Sequence, residues 1–106
     1  MTNPYAEQPG DARRVSGPVF LESVKLGGPS GTARPVLITG SLPNPCHQLR
    51  LRIPARAAAD GVWVVEAWSV SDPGVMCAQV LQPFAVEVMV PAPAARLRVN
   101  DQTALE

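Results

Sequence analysis

The sequence predicts an all-β chain: a small antiparallel β-sandwich, immunoglobulin-like, with about six to seven strands and one disulfide. Three observations carry that prediction. Apolar and polar residues alternate with a period of two in several short runs, most clearly at residues 48–53. Twelve prolines and eight glycines fall between these runs rather than inside them, which leaves no room for long helices. Two cysteines, Cys46 and Cys77, bracket the two best strand candidates.

Taken in order, residues 1–17 show no periodicity and read as a flexible leader. Residues 18–100 then form the sandwich domain, and 101–106 a C-terminal tail. A first strand is expected at residues 19–26, ended by the cluster Gly27, Gly28, Pro29, Ser30 and Gly31. That cluster lacks the Lys-Ser/Thr pair and the following helix of a phosphate-binding loop. The second strand, residues 35–40, sets Val36 and Ile38 on one face and Leu37 and Thr39 on the other. In the third, residues 48–53, Leu49, Leu51 and Ile53 face the core, while Gln48, Arg50 and Arg52 face out.

Asp60 and Gly61 suit the positive φ of a hairpin return. The fourth strand, residues 62–70, turns Trp63, Val65 and Ala67 inward, because the other register would bury Glu66. Val62, Val64 and Trp68 then share the outer face with Arg50 and Arg52, where arginine stacked on tryptophan contributes roughly 0.5–1 kcal/mol. Ser71, Asp72, Pro73 and Gly74 make a tight turn. A fifth strand at residues 84–90 points Phe84, Val86, Val88 and Val90 inward and Glu87 and Met89 outward. Pro91 and Pro93 break it before a last short strand at residues 96–100.

Antiparallel pairing of strands three and four brings the two cysteines to the same end of a hairpin, where a bridge fits. Their even number and spacing favour a disulfide and an oxidising compartment. Two buried free thiols in a cytosolic protein are the alternative. A bridge closing about thirty residues adds roughly 3–4 kcal/mol in the chain-entropy model.

Composition excludes several roles. Nine basic residues balance nine acidic ones, which argues against nucleic acid as a partner. No run of about eighteen apolar residues offers a membrane span. The first ten residues contain no apolar signal core, so export would depend on a signal ahead of this sequence. Ser41, His47 and Asp72 can be drawn as a triad, but no nucleophile elbow accompanies them. Cys46 and His47 are neighbours on an extended chain and point to opposite faces, so the imidazole is badly placed to take the thiol proton. Cys46, His47, Met76 and Cys77 have copper-ligand chemistry, yet a disulfide would consume both thiolates. The expectation is no catalytic residue, no metal and no cofactor.

The run GSLPNPCHQL at 40–49, VEAWS at 65–69, Asp72 with Pro73, and CAQVLQPF at 77–84 together carry a resemblance. They resemble a bacterial group of small secreted proteins or lipoproteins, with a β-sandwich domain and no assigned activity. The likeness runs from about Val19 to Asn100. It implies that Cys46 and Cys77 pair and that the domain is extracytoplasmic (periplasmic, secreted or lipid-anchored). Such domains carry a longer final hairpin and close on Val-Asn-Gly, whereas this chain has Val99, Asn100 and Asp101.

Two function classes follow. One is a monomeric, non-enzymatic interaction module for a protein or cell-envelope partner, presenting Arg50, Arg52, Val64, Trp68 and Met89. The plainer reading of that set is cross-strand cover of an outer face. The other is a protease inhibitor using Ser41, Leu42, Pro43, Asn44 and Pro45, since a proline-stiffened loop loses less entropy on binding. The plainer reading there is that the prolines end the second strand and aim Cys46 at Cys77.

Overall fold

A computed structural model describes residues 3–105. Eight strands form two sheets: β1 (Val15–Gly17), β2 (Phe20–Leu26), β3 (Ala33–Leu42), β4 (Gln48–Arg52), β5 (Trp63–Ser71), β6 (Gln82–Pro91), β7 (Arg96–Val99) and β8 (Gln102–Leu105). The smaller sheet has the order β2-β3-β6 and is antiparallel throughout. The larger is built around β5. Strand β4 runs antiparallel along one side; β1 and β7 lie in succession along the other, with β8 outside β7.

The alternating residues do what their period dictates. Val36, Ile38 and Leu42 of β3 and Val88 and Val90 of β6 face Leu49 and Leu51 of β4, Val65 and Ala67 of β5, and Leu97 and Val99 of β7. Full burial of a side chain such as Ile38 or Leu51 stabilises the fold by about 1.5–3 kcal/mol. Glu66 stays exposed and Trp63 packs against the core, as the register of β5 requires. Strand β2 carries a bulge: Leu21 pairs with Gly40 and Ser23 with Thr39, leaving Glu22 as the extra residue. A Cβ on Gly40 would run into the Phe20 carbonyl, so this close crossing needs glycine.

The leader is a correction. Residues 1 and 2 lie outside the described residues, but the rest of the segment is attached. Pro9–Arg13 forms a short 3-10 helix, and β1 pairs with the end of β5. Leu51 donates its N–H to the Tyr5 carbonyl and accepts Asn3 Nδ2 at its own carbonyl, so the free edge of β4 is covered. Asp11 is the main fastening. Its carboxylate accepts Arg50 Nε at 2.9 Å, Arg14 Nη1 at 2.7 Å and the Gln8 N–H at 3.0 Å. The Arg50 hydrogen bond, then the Gln8 N–H, holds this carboxyl far below the usual carboxylate range. No periodicity announces such anchoring, because it rests on ion pairs between residues far apart in sequence.

The C-terminal end differs too. The tail expected at 101–106 supplies β8, joined to β7 by a two-residue turn in which Asn100 adopts a φ of 53°; residue 106 lies outside the described residues. Strand β7 pairs with β5 in parallel, the one parallel pair in the two sheets. Asn100 extends that pairing: its N–H reaches the Val65 carbonyl, and its carboxamide exchanges two 3.0 Å hydrogen bonds with the backbone of Ala67. The side chain thus substitutes for a strand residue in the gap between β7 and β1.

Candidate functional site at the disulfide end

At one end of the sandwich, residues 15–21, 41–48 and 71–84 converge, since β1, β2, β4 and β6 begin there and β3 and β5 finish there. Asn44 shapes the first connection. Its Oδ1 accepts the Cys46 N–H at 3.0 Å and its carbonyl the His47 N–H at 3.2 Å, a turn that Asn favours. This turn presents Cys46 to Cys77, and the two form a disulfide with Cα atoms 6.1 Å apart. The alternative of free thiols is thereby closed.

His47 has a structural partner. Ser69 Oγ donates its one proton to the Pro18 carbonyl at 2.7 Å, so it accepts from His47 Nδ1–H at 2.9 Å. Asp72 is paired with Arg14 Nε at 3.0 Å. Ser41 sits in β3, opposite Phe20 and Pro83. The three residues of the drawn triad are therefore not joined to one another. The copper grouping fares no better, because both thiols are in the disulfide.

The expected binding face is not a single surface. Arg50 does lie on the outer face of β4, but it is buried: its guanidinium is spent on Asp11, Gln48 Oε1 at 3.1 Å and the Leu49 carbonyl at 3.1 Å. Arg52 stacks over Trp68, 5.2 Å from the ring centroid, and pairs with Glu66 at 3.0 Å and Glu7 at 3.6 Å. Val64 and Trp68 are half-buried. Met89 belongs to β6 of the other sheet, on the opposite side of the sandwich. The N-terminal segment and cross-strand pairs thus occupy the face around Arg50.

The expected inhibitory loop is also displaced. Leu42 is buried in β3 opposite Gln82, Ser41, Pro43 and Asn44 are half-buried, and Pro45 alone is exposed. These prolines end β3 and orient Cys46.

What stands clear is the second connection, residues 72–81. Pro73 and Gly74, the latter at a φ of 76°, turn the chain away from β5. Met76 is then 96% exposed, with Val75, Val80 and Leu81 also exposed around it. Val15 and Phe20, both exposed, flank the loop at its two ends through their pairing with Ser71 and Ser41. None of the 18 charged residues falls in 15–21, 41–48 or 73–84. Clustered exposed apolar side chains without charge mark an interaction surface. Sequence reasoning passed over this loop, although twelve uncharged residues without alternation from 73 to 84 were its signal. By contrast, the hollow lined by Lys25, Leu26, Pro35 and Glu87 encloses about 150 Å³, below the roughly 300–1,000 Å³ of a small-molecule pocket.

The family model of the ORF11 beta-sandwich domain matches residues 36–105, two-thirds of the chain. The chain belongs to this family. The match spans β4 to β8, both cysteines and the exposed loop, and leaves β1, β2 and the first residues of β3 outside. No curated protein and no solved structure matches the chain. The ORF11 family description speaks to the sandwich, and the disulfide is compatible with an oxidising compartment.

Proposed function

We propose that this ORF11 β-sandwich domain is a non-enzymatic, extracytoplasmic interaction module that binds a protein partner through its disulfide end. One observation carries the reading: residues 73–81 carry no charge and are pinned by a disulfide while Met76 stands 96% exposed among them. A monomer that only needed to close its sandwich would gain by placing charge there, since exposed apolar clusters invite association. The disulfide supports an extracytoplasmic setting, because such bridges persist in oxidising compartments.

The test is capture on immobilised domain from periplasmic or culture extract. A Val80→Asp/Leu81→Asp double variant should fold normally by circular dichroism and lose capture at least tenfold, roughly a hot-spot effect. Trp68→Ala should keep it. Capture that survives the loop variant and disappears with Trp68→Ala would move the site to the outer face of β4 and β5.

A further inference from the structure

The inference rests on that binding role and gives it a partner. We infer that residues 73–81 form a substrate-like loop that occupies the cleft of a serine endopeptidase with an apolar primary-specificity pocket, with Met76 filling the pocket.

The backbone argues first. Past the turn at Pro73 and Gly74, residues 75–81 join no strand among the described residues, and Gln79 Nε2 donates to the Cys77 carbonyl at 3.2 Å. An endopeptidase cleft binds its substrate as an added strand and so requires unpaired N–H and C=O groups. Two of the sheet edges are blunted. The β4 edge is taken by Asn3 and Tyr5, and β6 is bounded by Pro83 and Pro91, which lack the donor.

The side chains argue next. Met76 is unbranched, uncharged and almost wholly exposed, which fits a deep apolar pocket and not an acidic one. The following residue, Cys77, is tied to Cys46, and Pro73 and Pro83 stiffen both ends of the segment. Such fixing lowers the ordering entropy that binding costs. Cleavage would not release the loop. Water added across the Met76–Cys77 bond gives a Met76 carboxylate and a Cys77 amine, yet β5 retains the first, and β6 and Cys46 retain the second. Both ends remain at high effective concentration in the cleft, so the loop blocks the enzyme instead of leaving it.

A lipid surface fits less well. Unpaired backbone amides would enter lipid unsatisfied, at several kcal/mol each.

The experiment measures inhibition of purified chymotrypsin-type, elastase-type and trypsin-type endopeptidases by the oxidised domain. Inhibition of the first two at micromolar concentration or below, with the trypsin type spared, is expected. Met76→Lys should transfer inhibition to the trypsin type, and Met76→Gly should weaken it at least about 30-fold, both with unchanged circular dichroism and no free thiol. Absence of inhibition across the panel, turnover of the loop without inhibition, or equal inhibition by Met76→Gly would overturn the assignment. If the panel is negative while Val80→Asp/Leu81→Asp still abolishes capture, the binding module stands and the endopeptidase does not. Binding to phosphatidylcholine vesicles that Met76→Asp abolishes would replace the endopeptidase with a membrane surface.

Discussion

The two ends of this sandwich are closed by different physics. At the end away from the disulfide, buried Arg34 donates Nε to the Gly27 carbonyl at 2.8 Å and Nη1 to the Ala94 carbonyl at 2.9 Å, joining two loops. Its neighbours are similarly bound: Ala92 N–H to the Thr32 carbonyl, Gly61 N–H to Ala58, and Arg96 Nη2 to Asp60. The disulfide end has hydrogen bonds at Asn44, Ser69 and Asp72, but its long loop, residues 75–81, joins no strand and is tied by the covalent bond at Cys77. Hydrogen bonds consume the donors and acceptors they order, whereas a disulfide orders a loop and leaves them available. An end closed by hydrogen bonds is finished, while an end closed by a disulfide can still receive a partner.

The sharpest way to break the contrast is to remove Arg34. Arg34→Ala leaves two loop carbonyls without their charged donor and opens a cavity, and should cost about 3–5 kcal/mol in urea unfolding. Capture by the intact fraction should be unchanged, because the clamp lies at the far end. Cys46→Ser/Cys77→Ser should cost somewhat less, about 3–4 kcal/mol, but should loosen the loop. Amide exchange at residues 74–81 should rise, and capture should fall more than stability predicts. If the two double-sided effects are reversed, the ends do not divide the labour as described.

A smaller effect, confined to acid, concerns the segment that spans both ends, held by Asn3 and Tyr5 at one side and by Arg14 on Asp72 at the other. Asp11 has a lowered folded pKa, so its contribution is complete above the unfolded value of about 3.9. It is lost as pH falls from there toward the folded pKa. Denaturant midpoints measured between pH 5 and pH 2 should therefore fall more steeply for the native chain than for Asp11→Asn. Parallel slopes would show that the carboxylate does not fasten the segment.

Local pattern was enough for the centre of the fold. Leu49, Leu51, Val65, Ala67, Val88 and Val90 point inward because side chains alternate along a strand and one face is wet. Gly61 and Gly74 occupy the positive-φ turns that their neighbours announce. The missed parts share a cause. Strand β1 is three residues long, β8 follows an Asn-Asp turn rather than Asn-Gly, and residues 3–14 are held by Arg50, Arg52 and Leu51 from distant sequence. Short-range periodicity cannot register partners that far apart.

The same divide separates the candidate site from its residues. Alternation correctly put Arg50 on an outer face, but only the covering N-terminal segment made it buried. Cys46 and Cys77 were readable as a pair, because hairpin geometry brings their segments to one end. The central strands, the turns at Gly61 and Gly74 and the disulfide were thus determined by the sequence itself, through dihedral preference, side-chain alternation and cysteine spacing. The parallel pairing of β5 with β7, the burial of Arg50 and the exposure of Met76 were decided by tertiary structure. Each depends on which distant segment arrives to cover a surface, and among the described residues none arrives over Met76.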